Sequence, residues 1–119
     1  MRFHALIIED DNALRELYAL YLQRGGMDTT TVASAQRALD VLESQSIDLV
    51  LVDVNLADDM SGLDFIRIVQ DIPEYDPIKI VILTSFPEPY DATISRRIDL
   101  SLNKPVDYTH LMAALNSIL

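Results

Sequence analysis

The chain has 119 residues, half of them hydrophobic, and its net charge is −10 because it contains 19 acidic and 9 basic side chains. We expect residues 1–119 to form one domain with a single core. The acidic balance argues against nucleic-acid binding by this chain alone, and the lack of cysteine excludes disulfides and thiolate metal sites. No apolar run approaches the roughly 20 residues of a membrane span, and acidic residues come too early for a signal peptide. A soluble, cytoplasmic protein is the expectation.

The first half of the chain alternates strand patterns with helical ones. Apolar or β-branched runs predict strands at residues 3–8, 29–32 and 49–52. The first helix has apolar residues at helical spacing and ends at Gly25-Gly26: Leu14, Leu17, Tyr18, Tyr21 and Leu22. A second helix, with Ser34 as its N-cap, carries Ala35, Ala38, Leu39 and Leu42 on one face.

The second half continues the alternation. Gly62 opens a helix that Pro73 ends, with Phe65, Ile68, Val69 and Ile72 as its apolar residues. Residues 78–83 (IKIVIL) and 98–102 (IDLSL) predict two more strands. Two prolines between them predict a short or frayed helix in residues 85–97. A last helix carries Tyr108, Leu111, Met112 and Leu115.

Five strand–helix repeats predict a parallel sheet with helices on both faces. Strands one, three and four are continuously apolar, which is typical of interior parallel strands. Strand two is rich in threonine and strand five alternates in polarity, so both are predicted at edges. With right-handed crossovers these features favour the order 2-1-3-4-5, a flavodoxin-like, doubly wound (βα)5 three-layer sandwich.

Polar residues follow four of the five strands. They are Glu9-Asp10-Asp11 after strand one, Asp53 after strand three, Thr84-Ser85 after strand four and Lys104-Pro105 after strand five. Ligands in such sheets bind at the carboxyl ends of the strands. Strands one and three are predicted neighbours, so Glu9, Asp10 and Asp53 should lie together.

This grouping predicts a metal-assisted phosphoryl site. Clustered carboxylates repel one another, and a divalent cation relieves that repulsion. Oxygen ligands without thiol or nearby histidine suit Mg²⁺. A cation and a lysine would offset the charge of a transferring phosphoryl group, while a carboxylate acts as nucleophile.

Each position also has a purely structural interpretation. A single aspartate after a strand commonly serves as a turn residue or N-cap, and the Glu9-Asp10-Asp11 run could cap the first helix. Thr84-Ser85 could form a turn, and Lys104 could be a solvated lysine. His4 and His110 are interpreted as structural or surface residues. The combination of strand ends favours the functional interpretation over four separate structural ones.

At this point the sequence resembles the response-regulator receiver domains of two-component signalling, over essentially the whole chain. The matching motifs are the acidic pair Glu9 and Asp10, the phosphoacceptor aspartate Asp53, the hydroxyl residue Thr84 and the pair Lys104-Pro105. The segments LIIEDDNALRELY and DLVLVDVNL are also typical of the family.

The resemblance implies a role for each residue of the site. Asp53 would accept a phosphoryl group from a histidine kinase or a histidine phosphotransfer protein. Asp10 and Asp53 would hold Mg²⁺, with Glu9 acting partly through water and the backbone carbonyl of Asn55 as a further ligand. Lys104 would pair first with Asp53 and then with the phosphoryl oxygens.

The resemblance also implies a switch. Thr84 would move to hydrogen-bond the phosphoryl group and shift the 4-5 face, which then controls a partner or output domain. The Lys104–Pro105 peptide bond should be cis. The switch region would comprise Thr84, Ser85, Phe86 and Ser101. A monomer or a weak, phosphorylation-dependent dimer is expected.

The sequence departs from the family pattern around the switch and at the edge of the site. Ser101 stands where the family has Tyr or Phe, and Phe86 or Tyr90 could substitute for that aromatic residue. The segment 84–104 is about two residues short, and its Pro87 and Pro89 should distort helix four. The loop after Asp53 is one residue longer before Gly62 and has Ala57 in place of the usual proline. We therefore expect intact phosphoryl chemistry with an unusual readout.

Two other functions remain open at this stage. An aspartyl-nucleophile phosphatase of the haloacid-dehalogenase type needs an aspartate two positions after the nucleophile, where this chain has Asn55, and it also needs room for a cap domain. A degenerate receiver that binds partners without phosphorylation would explain the altered switch region. The leading prediction is a phosphoacceptor signalling domain that catalyses only its own phosphorylation and dephosphorylation.

Overall fold

The computed structural model describes residues 2–57, 59–85 and 92–119. Five strands form one parallel sheet in the order β2-β1-β3-β4-β5. They are β1 (His4–Ile8), β2 (Asp28–Val32), β3 (Leu49–Asp53), β4 (Lys79–Thr84) and β5 (Leu100–Asn103). The predicted fold class and strand order are confirmed.

Five α-helices connect and flank the strands. They are α1 (Asn12–Arg24), α2 (Ala35–Ser44), α3 (Gly62–Gln70), α4 (Ala92–Ser95) and α5 (Tyr108–Asn116), with a 3₁₀ turn at Pro73–Tyr75. Side chains that accept a backbone N–H cap four of these helices at their N-termini: Asp11, Ser34, Ser61 and Asp107. None of the described helices has both the length and the apolar character that a membrane crossing requires.

The core has one part on each face of the sheet, because alternate strand residues point to opposite sides. One part holds Leu6, Val50 and Ile82 against residues of α2, α3 and α4. The other holds Ile7 and Leu51 against residues of α1 and α5. This gives the three predicted layers, and both faces of β3 are fully buried.

The edge strands and α3 show where burial differs along the chain. β2 is mostly half-buried or exposed, and β5 alternates between half-buried Leu100 and Leu102 and exposed Ser101 and Asn103, as predicted. The prediction that α3 extends to Pro73 is wrong, since the helix ends at Gln70 and a 3₁₀ turn follows.

The predicted apolar face of α3 is also partly wrong. Ile68 lies off the buried stripe and is 38 % exposed. The buried residues of the helix are Gly62, Phe65, Ile66 and Val69, which follow the i, i+3, i+4, i+7 spacing from Gly62.

Candidate functional site

Two adjacent strand ends bring the main acidic residues together. β1 and β3 pair in parallel, with Ile8 opposite Val52, so Glu9 and Asp53 follow at the same edge of the sheet. Tyrosine aside, the buried polar or charged residues of the described chain are Glu9, Asp53 and Thr84. Burial of these groups at the end of an apolar sheet is energetically unfavourable unless partners satisfy them.

The carboxylates of Glu9, Asp10 and Asp53 form a compact cluster. One oxygen from each lies within 4.8 Å of the others. This donor set contains only hard oxygens from two buried residues and the half-buried Asp10. Such a set fits Mg²⁺, which prefers a few carboxylates and keeps water in its other positions.

Lys104 reaches the cluster from the end of β5. Its Nζ lies 2.5 Å from Oε1 of Glu9 and 3.3 Å from Oδ2 of Asp53, and its side chain is 11 % exposed. Burial acts to lower the pKa of Lys104, but the hydrogen bond with Glu9 and the charge of Asp53 outweigh it, so the pKa is raised. Lys104 therefore stays positively charged beside Asp53.

The pKa of Glu9 is strongly perturbed. Its pKa is raised from 4.5 to about 7, chiefly because burial disfavours the carboxylate. The hydrogen bond with Lys104 opposes this rise, while the neighbouring Asp53 adds to it. Without a cation, burial and the neighbouring Asp53 therefore favour the protonated form of Glu9 over a wider pH range than in a free glutamate.

Backbone amides hold one oxygen of each carboxylate in place. The Asn55 N–H donates to Oδ1 of Asp53 at 3.0 Å, and the Ala57 N–H donates to Oδ2 of Asp10 at 2.8 Å. A longer contact of 3.4 Å joins the Asp11 N–H to Oε2 of Glu9. These bonds orient the carboxylates, and the other oxygens of Glu9 and Asp53 contact Lys104.

Arg15 supports the site from α1, a role that the sequence did not predict. Its Nη1 donates to the backbone carbonyl of Glu9 at 2.9 Å, and its Nη2 donates to Oδ1 of Asn12 at 2.5 Å. The signal in the sequence was an arginine one turn into the helix that follows an acidic strand end. That pattern did not show that the side chain turns back toward the strand.

Gly62 supports the site from the other side. The sequence predicted it as the start of a helix but did not predict its close approach to the backbone of Asp53. A Cβ at this position would clash with the carbonyl oxygen of Asp53 and would lie 3.0 Å from Cα of Val54. Only glycine lets the first turn of α3 pack this closely against the backbone of Asp53.

The remaining predicted residues lie around the same sheet edge. Thr84 is fully buried at the end of β4, and its carbonyl accepts the Lys104 N–H at 2.8 Å. Ser85 and Ser101 are exposed. The Lys104–Pro105 peptide bond is cis. Phe86, Pro87, Pro89 and Tyr90 lie outside the described residues.

The structural interpretations can now be assigned residue by residue. Asp11 does cap α1, accepting the Leu14 N–H at 3.0 Å, whereas Glu9 and Asp10 belong to the carboxylate cluster. His4 is half-buried and contacts Oγ1 of Thr30 at 2.7 Å. The exposed His110 contacts Asp107, the N-cap residue of α5. Both histidines are structural or surface residues in this arrangement.

Family models and curated proteins match this chain over nearly its whole length. The family model described as "Response regulator receiver domain" matches residues 5–116. The transcriptional regulatory protein AfsQ1 of Streptomyces coelicolor is 32% identical over 116 residues, covering 96% of this chain and 50% of the relative. The KDP operon transcriptional regulatory protein KdpE of Escherichia coli is 29% identical, covering 94% of this chain and 49% of the relative. The chain thus spans about half the length of these curated relatives.

Solved structures share the whole fold. A response regulator receiver domain (CheY-like) from Methylobacillus flagellatus superposes with a TM-score of 0.89 at 29% identity, and the match covers 100% of both chains. The fold similarity therefore includes every strand that contributes to the carboxylate cluster.

Proposed function

Because the chain belongs to the response regulator receiver domain family, we propose that it is a phosphorylation switch with Asp53 as the phosphoacceptor. The observation that carries this proposal is the buried Asp53 carboxylate, which lies 3.3 Å from a charged lysine and within 4.8 Å of two further carboxylates. The chain catalyses its own phosphorylation and dephosphorylation and has no separate substrate to turn over.

Glu9, Asp10 and Asp53 are the residues that would hold Mg²⁺, with the backbone carbonyl of Asn55 as a further proposed ligand. A bound Mg²⁺ supplies positive charge that offsets the negative charge of the phosphoryl oxygens. Glu9 must then be deprotonated, since metal binding and protonation compete for the same carboxylate oxygens.

In the transfer step, an oxygen of the Asp53 carboxylate forms a bond to phosphorus. The bond between phosphorus and the imidazole nitrogen of the donor histidine breaks, and its electron pair stays on that nitrogen. The donor leaves as a neutral imidazole when its other ring nitrogen carries a proton. Lys104 faces Oδ2 of Asp53, so its ammonium offsets charge on the phosphoryl oxygens.

In the hydrolysis step that resets the switch, a water oxygen attacks the same phosphorus and the bond to Asp53 breaks. This restores the carboxylate and releases inorganic phosphate. The Asn55 N–H, which already donates to Oδ1 of Asp53, keeps the carboxylate oriented in both directions of the cycle.

Thr84 is the proposed link between phosphorylation and the surface. Its buried position beside the end of β5 fits a hydroxyl that moves toward the phosphoryl group and shifts the 4-5 face. The exposed Ser101 on β5 offers no aromatic side chain to follow that movement. We therefore propose that the surface change in this chain does not depend on an aromatic rotamer at position 101.

The proposed partners follow from the same chemistry. A histidine kinase or histidine phosphotransfer protein donates the phosphoryl group, and a downstream protein or output domain binds the 4-5 face. We further propose that residues 1–119 form a single receiver domain that acts in the cytoplasm as a monomer or a weak phosphorylation-dependent dimer. Asn55, in place of an aspartate, argues against the haloacid-dehalogenase type of phosphatase.

Incubation with acetyl phosphate and Mg²⁺, followed by intact mass measurement, tests the proposal. The wild type should gain one phosphoryl group that is lost at alkaline pH, as expected of an acyl phosphate, and Asp53→Asn should gain none. Absence of any gain in the wild type would instead support the degenerate receiver that binds partners without phosphorylation. An equal gain in Asp53→Asn would move the phosphoacceptor to another residue.

A further inference from the structure

The chain segment that follows β3, residues 54–57, directs two backbone N–H groups at two different carboxylates of the cluster. The first, from Asn55, reaches Oδ1 of Asp53 at 3.0 Å. The second, from Ala57, crosses to the neighbouring strand end and reaches Oδ2 of Asp10 at 2.8 Å. The second bond joins residues 47 positions apart in sequence, so it ties this segment to the end of β1.

Asp10 differs from the other two acids in its partners. Lys104 contacts Glu9 and Asp53 but forms no ion pair with Asp10, and within the described chain no other cation does so. The Ala57 N–H occupies Oδ2, and Oδ1 remains available. Among the described residues, Asp10 is therefore the acid of the cluster whose charge a bound cation has most to offset.

A hydrogen bond to the second oxygen of a metal-binding carboxylate fixes its orientation and strengthens metal binding. The bond from Ala57 is compatible with this role, because it occupies Oδ2 and leaves Oδ1 of Asp10 for a cation. It also depends on the residue type at position 57. Proline, which the family resemblance leads one to expect there, has no N–H and could not make it.

We propose that the Ala57 amide is a positioning group for Mg²⁺, which orients Asp10 and couples cation binding to the order of residues 54–57. This inference rests on the proposed function, in that the cluster is taken to hold Mg²⁺. The coupling is reciprocal, as linkage requires: the amide strengthens cation binding, and a bound cation stabilises the amide's bond to Asp10.

Calorimetric titration of the full chain with MgCl₂ tests the positioning role. Ala57→Pro removes the N–H, whereas the matched control Ala57→Gly keeps it and removes only the methyl group. We expect Ala57→Pro to bind Mg²⁺ about tenfold more weakly than the wild type, with Ala57→Gly within about twofold of it. Equal Mg²⁺ affinity in the wild type and Ala57→Pro would overturn the inference, as would an equal loss in both variants.

Amide hydrogen exchange of the wild type provides a measurement that does not depend on the folding of a variant. The Ala57 N–H should exchange more slowly when Mg²⁺ is added, while the Leu14 N–H, which Asp11 caps, should not change. Unchanged exchange at Ala57 under saturating Mg²⁺ would contradict the coupling. If the wild type itself binds no Mg²⁺, the proposed function fails; if it binds and only these effects are missing, the positioning role alone fails.

Discussion

At the scale of single residues, the site is organised around one lysine shared by two buried acids. Lys104 contacts both Glu9 and Asp53, and its raised pKa keeps it charged. The ammonium lies beside the carboxyl groups of both acids. In the function that we propose, the same ammonium also offsets charge on the phosphoryl oxygens.

Replacement of this lysine should slow phosphorylation without abolishing the fold. We expect Lys104→Met to lower the rate of Asp53 phosphorylation from acetyl phosphate by about 10²-fold, the usual effect of removing one charge-stabilising group from a reaction centre. Lys79→Met is the matched control, because Lys79 is the chain's other lysine. It lies at the start of β4, whereas the site lies at the strand ends on the other edge of the sheet. Similar rates for both variants, measured by intact mass against time, would contradict the role of Lys104.

The raised pKa of Glu9 predicts a pH dependence of stability in the metal-free protein. Its pKa is 4.5 as a free side chain and about 7 in the fold. Between these values the folded state binds the extra proton, so this group's contribution to the free energy of unfolding falls as pH rises. Lys104, whose pKa is also raised, stays protonated throughout this range.

Urea unfolding in EDTA at about pH 5 and about pH 8 should reveal this effect as a difference between wild type and Glu9→Gln. From the lower to the higher pH, the free energy of unfolding of the wild type should fall by on the order of 1 kcal/mol more than that of the variant. Asp64 and Asp107 have lowered pKa values, so their effects on stability occur at lower pH. These effects are the same in both proteins and cancel in the comparison of their free energies of unfolding. A parallel pH dependence of both proteins would show that Glu9 is not the group responsible.

At the scale of secondary structure, the strand ends were predictable and the contacts between loops were not. Strand polarity sufficed to place β2 and β5 at the edges and Asp53 beside Glu9, because parallel pairing aligns the carboxyl ends. The Ala57 amide and the Arg15 guanidinium were not predictable, since their roles depend on loop conformation and side-chain direction. Neither follows from periodicity.

The end of α3 illustrates the same division. Proline predicted a stop near position 73, but the helix ends at Gln70 because Asp71 and Ile72 donate their N–H groups to the carbonyls of Ile68 and Val69 instead of continuing the α-helical pattern. Similarly, β5 begins at Leu100 and not at Ile98. Before that point, the carboxylate of Asp99 accepts the Ile80 N–H. Such local competition decides boundaries that an apolar pattern leaves open.

The packing of α3 against β3 gives a prediction at this scale. We expect Gly62→Ala to lower the free energy of unfolding by about 2–3 kcal/mol, because its Cβ would meet the rigid backbone of Asp53 and Val54. Gly25→Ala is the control, since its Cβ would meet the flexible side chain of Met112. We expect that change to cost less than about 1 kcal/mol.

Urea unfolding of both glycine variants checks this expectation. The test is whether Gly62→Ala lowers the free energy of unfolding more than Gly25→Ala does. An added Cβ is crowded at both positions, but only at Gly62 is it crowded by backbone near the site. If Gly25→Ala proved as destabilising as Gly62→Ala, the close approach of α3 to Asp53 would not explain the glycine.

At the scale of the whole molecule, the proposed chemical site and the proposed readout surface involve different residues. The chemical residues lie at the ends of β1, β3, β4 and β5, where Lys104 contacts Glu9 and Asp53. Of the two described departures from the family pattern, Ser101 lies on an exposed edge strand, whereas Ala57 lies on the loop beside the site and donates its N–H to Asp10. We therefore propose phosphoryl chemistry typical of the family, combined with a readout particular to this chain at the β5 edge.

Identification of the modified residue tests this account most directly. After reaction with acetyl phosphate and Mg²⁺, borohydride reduction converts an aspartyl phosphate into homoserine, which peptide mass spectrometry locates in the sequence. We expect homoserine at position 53 of the wild type, with no homoserine at Asp10 and no 5-hydroxynorvaline, the product from a glutamyl phosphate, at Glu9. A reduced residue at another acid, or none anywhere under conditions in which Mg²⁺ binds, would contradict the assignment of Asp53 as the phosphoacceptor.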